Sequence, residues 1–166
     1  MILIVADTGP INYLIQIGLV GLLAQVASKT VLPESVAAEL AAAAAPEIVR
    51  AWMTSPPPWV EVRTAKQPIE APDIAAADRE AIALARELGS SVLLMDDQQA
   101  RRCAASHGVV TMGTLGLLEV AASRGFVSLP VALEKLRATS CFLSDELIKN
   151  ALLRDEARRH TQARDV

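Results

Sequence analysis

Five short strand-like runs, at residues 2–6, 30–32, 59–62, 91–95 and 109–111, alternate with stretches whose apolar residues recur at helical spacing. That alternation leaves few folds open. Strands joined through intervening helices run parallel and their crossovers are right-handed, so the chain is expected to be α/β, with a central parallel β-sheet flanked by α-helices. The continuous apolar character of Leu3-Ile4-Val5-Ala6 and Val92-Leu93-Leu94-Met95 fits strands covered on both faces.

The helical pattern places short helices at residues 11–17 and 19–26, parted near Gly18. Pro33 starts a helix with Val36, Leu40 and Ala43 on its apolar face, and Pro46 ends or kinks it. Residues 47–53 resume as helix, Pro56-Pro57-Pro58 breaks it, and 59–62 reads as an edge strand. The strongest helical pattern covers 73–88, with Gly89 as its stop. Further helices are expected at 98–106, 115–123, 129–136 and 144–153. With 166 residues, 52% of them apolar, the chain suits one domain better than two. Its core is expected over about 1–125, with a helical C-terminal extension over about 129–155 and a tail over about 156–166.

The first strand runs directly into Asp7-Thr8-Gly9-Pro10, which puts a carboxylate at the end of a buried strand, where open α/β sheets place their chemistry. Asp7 or Thr8 would serve equally well as a cap for a helix opening at Gly9-Pro10. What tips the balance is recurrence: Glu39, Glu80, Asp96 and Asp97 fall at the same predicted sheet edge or at adjacent helix ends. At ~4 Å two like charges cost about 1 kcal/mol in water and about 4 kcal/mol at an effective dielectric of 20. A cleft gathering several such groups requires bound cations or raised pKa values. Metal binding is the economical explanation, and oxygen donors suit Mg²⁺ or Mn²⁺.

Charge and composition narrow the function further. The formal charge of -3 and pI near 5.4 argue against a general polyanion binder. Residues 1–100 nevertheless carry twelve acids and six bases, and residues 101–166 ten bases and seven acids, so the second part is better suited to phosphates. For any single arginine there, a solvated helix face is the simpler reading. Aromatic residues make up 3% of the chain, which disfavours a base-stacking platform. Cys103 and Cys141 show no paired spacing, as expected of buried thiols in a reducing compartment rather than of a disulfide framework or a zinc site. The first apolar run is too short for a membrane span and lacks a basic leader, so the expected location is cytoplasmic.

Four segments, Asp7-Thr8-Gly9-Pro10, Pro33-Glu34-Ser35-Val36-Ala37-Ala38-Glu39-Leu40, Glu80-Ala81-Ile82-Ala83-Leu84-Ala85 and Leu93-Leu94-Met95-Asp96-Asp97, occur in an order that resembles PIN domains. They are similar to the VapC-like ribonuclease toxins, and more closely to a sister branch with a DTGP start and a Gly-Thr-Leu-Gly-Leu-Leu segment, here residues 113–118. The resemblance implies a single PIN-like domain. It also implies a metal-dependent endoribonuclease that leaves a 5′-phosphate and a 3′-hydroxyl, with RNA as substrate, a small antitoxin as partner and a homodimer as assembly.

Carried over residue by residue, the resemblance makes Asp7, Glu39, Glu80 and Asp97 the catalytic metal ligands, with Asp96 as a supporting or water-mediated ligand. Glu80 is preferred to Asp78, which is assigned to the helix cap, because only one of the two can face a given cleft. The branch has Gly-Glu where this chain has Arg79-Glu80, which adds a positive charge beside the site. Thr8, Thr114, Arg101 and Arg102 are the candidate substrate contacts. Carboxylate-held Mg²⁺ or Mn²⁺ can both generate the nucleophile and stabilise the departing oxygen. Haloacid-dehalogenase-type phosphatases need a second Asp two residues after the first, and here Gly9 stands there. The acids and closing lysine of response-regulator receivers are not found either. The remaining competitor is a PIN-like scaffold with a weakened site, acting as a protein-binding module, and Arg79 is the feature in its favour.

Overall fold

In the computed structural model, which describes residues 2–89 and 91–164, each strand-like run becomes a strand. β1 is Leu3–Ala6, β2 Lys29–Pro33, β3 Val60–Arg63, β4 Ser91–Leu94 and β5 Val110–Met112. Among the described residues these five form one sheet in the order β3-β2-β1-β4-β5, with every neighbouring pair parallel. Helices make the crossovers. α1 (Thr8–Gln16) and α2 (Leu22–Val26) join β1 to β2, and α3 (Glu34–Ala41) and α4 (Glu47–Thr54) join β2 to β3. α5 (Ala76–Leu88) leads into β4, and α6 (Gln98–Ser106) into β5.

Side-chain alternation explains why the strands read as unbroken apolar runs. Val5, Val31 and Leu93 join Ala81, Ile82 and Leu84 of α5 in one buried cluster. The alternate positions Ile4, Leu32 and Leu94 are buried as well, so both faces of the sheet are covered. Thr30 is the exception in chemistry: it is fully buried and its hydroxyl has no partner among the described residues. A buried donor left unpaired costs about 1–3 kcal/mol. Thr30→Val, which keeps the β-branch, should therefore raise stability by about 1 kcal/mol, read as a higher urea midpoint with an unchanged m-value.

Strand order positions the site. The chain steps outward from β1 to β2 and β3, then returns across β1 to place β4 and β5 on its other side. The connections leaving β1 and β4 therefore diverge, opening a crevice at their carboxyl ends. The ladder continues one residue beyond β1, where the Asp7 N–H donates to Leu94 O at 2.9 Å. Asp7 is thus fixed at the mouth of that crevice.

Several boundaries differ from the sequence reading for local reasons. Pro33 closes β2 in an extended conformation and caps α3 rather than sitting inside it. α3 ends at Ala41, before Pro46, which instead precedes α4. α5 begins at Ala76, not Asp73, because the Ile74 N–H is taken by Ala71 O in a turn. Gly89, with φ 68°, ends it as expected.

The chain forms two compact units, Met1–Thr114, which holds the sheet, and Leu115–Val166. The second unit takes in most of α7 (Thr114–Ser123), together with α8 (Leu129–Arg137) and α9 (Asp145–Arg164). α9 continues well past the expected stop at residue 153, through most of the expected tail. No Gly or Pro interrupts it, and pairs such as Glu156 with His160 at i,i+4 support its exposed face. Much of the late positive charge is spent within this unit. Arg154 forms a bidentate pair with Glu119 at 2.8 and 3.1 Å. Arg158 and Arg159 flank the buried Asp155, and Arg158 also donates to Ala122 O. Cys103 and Cys141 are only half-buried, short of the full burial expected. Among the described residues, no helix is long and apolar enough to cross a membrane.

Candidate metal centre

Asp7 occupies the N-cap position of α1, with extended backbone angles of φ -82° and ψ 167°, yet its side chain makes no cap hydrogen bond. Its carboxylate is therefore not consumed by the helix. The residue is 8% exposed, and Oδ1 is buried without a hydrogen-bond partner among the described residues. Burial is the main force raising its pKa from 3.8 to about 7, followed by the charge of Asp78; the charge of Glu39 adds to these, and the Thr8 N–H opposes them. The Asp78 side chain further raises the Asp7 pKa, and that of Asp7 lowers the Asp78 pKa. Two acids so placed cannot both ionise cheaply.

Asp78 stands in the first turn of α5 but is not its cap, since Ala75 holds that position with no side-chain bond. Burial raises its pKa, and so does the charge of Asp97 and then of Glu39, while the bond from Asp7 lowers it. Asp97 caps α6 by accepting the Ala100 N–H at 2.8 Å through Oδ1, and it remains exposed at the end of β4. Glu39 projects from α3 and accepts the Thr8 hydroxyl. Four carboxylates from four segments are thereby electrostatically linked: Asp7, Glu39, Asp78 and Asp97.

Glu80 is not among the charges acting on Asp7 or Asp78. Its Oε2 accepts both the backbone N–H of Ser35, at 3.0 Å, and the Ser35 hydroxyl. Asp78, expected as the helix cap, thus stands instead among the acids around Asp7, while Glu80 is engaged with Ser35 of α3. Residues two apart on a helix differ in direction by about 200°, so the three-residue shift in where α5 begins does not rescue Glu80. The sequence did hold a signal: Asp78 continues the stripe of Ala81, Ile82 and Ala85, all buried, and so points toward the sheet.

The remaining candidates divide between scaffold and surface. Asp96 turns away from Asp97 to cap α7, accepting the Thr114 N–H at 2.7 Å and the Thr114 hydroxyl at 2.6 Å. Thr114 is 1% exposed, so its hydroxyl is committed to that cap rather than to a substrate. A Cβ at Gly113 would stand 3.0 Å from Asp96 Oδ1 and 3.5 Å from Arg101 Nη1; glycine leaves the carboxylate room to reach the helix. Arg101 is half-buried and donates to the Thr111 hydroxyl at 3.2 Å, whereas Arg102 is exposed. The Thr8 hydroxyl is spent orienting Glu39.

Among the described residues, no three acidic, histidine or cysteine side chains converge as a ready-made metal cage. The donor set still suits a hard divalent cation. Mg²⁺ keeps several waters and is held by one or two carboxylates rather than by an all-protein cage, and the buried, unpaired Oδ1 of Asp7 is the atom most in need of a positive partner.

A family model described as PIN domain matches residues 3–156. The chain also resembles the solved structure of a PilT N-terminus domain protein from the hyperthermophilic archaeon Sulfolobus solfataricus P2. The TM-score is 0.54 at 17% sequence identity, covering 73% of this chain and 93% of that one, a likeness of fold. No curated protein matches the sequence.

Proposed function

The chain belongs to the PIN domain family, and from that premise we propose that it is a Mg²⁺- or Mn²⁺-dependent endoribonuclease whose metal ligands come from Asp7, Glu39, Asp78 and Asp97. PIN domains are generally nucleases that use divalent metals, and the fold is of that nuclease type. The observation that carries the reading is the buried, unpaired Asp7 oxygen, on a carboxyl that burial and then the neighbouring acids Asp78 and Glu39 hold up at about 7. When bound, a divalent ion supplies water activation and charge stabilisation on the departing oxygen. Asp7 fixes the site to the sheet, since its own N–H is in the β1–β4 ladder. Thr8 orients Glu39, and the α6 cap holds Asp97. Arg101 and Arg102, one turn beyond Asp97, are placed to meet phosphates of a bound strand. In-line attack by water gives a 5′-phosphate and a 3′-hydroxyl.

Family membership extends the proposal to one domain spanning both compact units, a cytoplasmic location, a homodimer, and a toxin role with a small antitoxin partner. The alternative of a weakened scaffold rested on Arg79, but Arg79 is not among the charges that act on Asp7 or Asp78. The test is cleavage of a mixed structured RNA by purified protein with Mg²⁺ or Mn²⁺, with EDTA and Asp7→Asn as controls. Cutting lost in both controls is expected. Equal inactivity of wild type and variant, with no divalent-ion binding by calorimetry, would overturn the nuclease in favour of the scaffold.

A further inference from the structure

Arg79 is a residue that the proposed chemistry leaves unused. It lies in the first turn of α5, where the helix dipole disfavours a cation. It is half-buried, and its guanidinium has no hydrogen bond or ion pair among the described residues. A cation so placed gains nothing from its own fold. What it does is line a cavity of about 330 Å³, together with Glu80 and the apolar surfaces of Ala65, Pro68, Ile69 and Ala83. The loop wall of that cavity is tied to α5, because Gln67 receives a bond from Arg86 at 3.2 Å and donates its N–H to Glu87. The cavity is therefore preformed.

Its chemistry selects an occupant. Both bonds from Ser35 fall on Glu80 Oε2, which leaves Oε1 without a bond as the acceptor in a lining that Glu80 shares with Arg79. A phosphate would be repelled by the carboxylate, and a purely apolar group would leave both polar ends unpaired. A flat heterocycle with two acceptors on one edge and donors on the next satisfies everything. Guanine does this: O6 and N7 accept from an arginine in the bidentate manner, while N1–H and the 2-amino group can donate to a carboxylate. Adenine presents its amino donor beside N7, so it would set a donor against the guanidinium.

We propose that this cavity is a base-recognition subsite that selects an unpaired guanine flanking the scissile phosphodiester. The proposal rests on the nuclease reading for its substrate, and on Arg79 following Asp78 directly on α5. Sequence-specific RNA recognition works on splayed single-stranded bases, and a site built on such bonds rejects bases that leave them unmade.

Two measurements separate the subsite from the nuclease. In EDTA, fluorescence polarisation compares a short oligouridine with the same strand carrying one guanosine or one adenosine. Wild type should bind the guanosine strand at least about ten-fold more tightly. The preference should vanish in Arg79→Ala and remain lost in Arg79→Lys, which keeps charge and helix propensity but not the planar fork. With Mn²⁺, sequencing the ends released from a random RNA pool should show guanine at a fixed offset from the cut in wild type and not in Arg79→Lys. Absence of guanine preference in binding, or its survival in Arg79→Ala, overturns the subsite. Cutting without base preference would do so while leaving the nuclease standing. Guanine-selective binding without cutting would keep the subsite and remove the nuclease.

Discussion

Asp78→Asn should abolish divalent-ion binding, and RNA cleavage with it, whereas Glu80→Gln should keep Mn²⁺ binding and lose stability instead. The contrast follows from what each carboxylate touches. Burial and the charges of Asp97 and Glu39 raise the Asp78 pKa, so a cation entering there relieves several repulsions together. Removing its charge takes away a proposed ligand, and even outer-shell losses at metal sites cost about 10- to 100-fold in affinity; the expected loss is larger than about 100-fold. Glu80 is engaged with the N–H and hydroxyl of Ser35 at the start of α3. Hydrogen bonds to a charged group are worth about 1.5–3 kcal/mol and neutral ones about 0.5–1.5 kcal/mol, so the Gln variant, which keeps an acceptor but loses the charge, should lose about 1 kcal/mol and unfold at lower urea. Calorimetric Mn²⁺ titration and urea denaturation of both variants check this. Mn²⁺ binding lost in Glu80→Gln and kept in Asp78→Asn would return Glu80 to the site.

The second large effect is on stability against pH in the metal-free protein. The Asp7 carboxyl ionises near 3.8 when unfolded and at about 7 when folded, so the folded state holds its proton more tightly. The associated stability is fully present below about pH 4, declines as pH rises, and is lost above about pH 7. At about 1.36 kcal/mol per pH unit, the loss across that window is on the order of 4 kcal/mol. Asp78 is shifted in the same direction and adds to the slope. Urea midpoints in EDTA from pH 4 to pH 8 should therefore fall steeply for wild type. Asp7→Asn should flatten the profile and be the more stable protein at pH 8. Because a cation competes with the proton for the same carboxylates, Mn²⁺ should raise the melting temperature at pH 8 and have little effect at pH 5. Parallel profiles for wild type and Asp7→Asn would show that Asp7 is not the buried acid responsible.

The sequence by itself determined the elements, and through them the fold class. Unbroken apolar runs and helical stripes are local properties, which is why α6 falls at residues 98–106 as expected and why Asp7 reads as lying at a strand end. The pairing of β1 with β4 rather than β5 depends on which strands meet across the core, as does the crevice beside Asp7. Those are long-range contacts that no local window contains. Tertiary structure also decided how neighbouring acids were shared out. Asp96 caps α7 while Asp97 joins the cluster, and Asp78 joins it while Glu80 goes to Ser35. Composition and spacing could gather the acids, but a shift of one residue at a strand end or two on a helix redirects a side chain completely. Only packing fixes which way each carboxylate points, because only packing sets where a helix begins and which of its faces is buried.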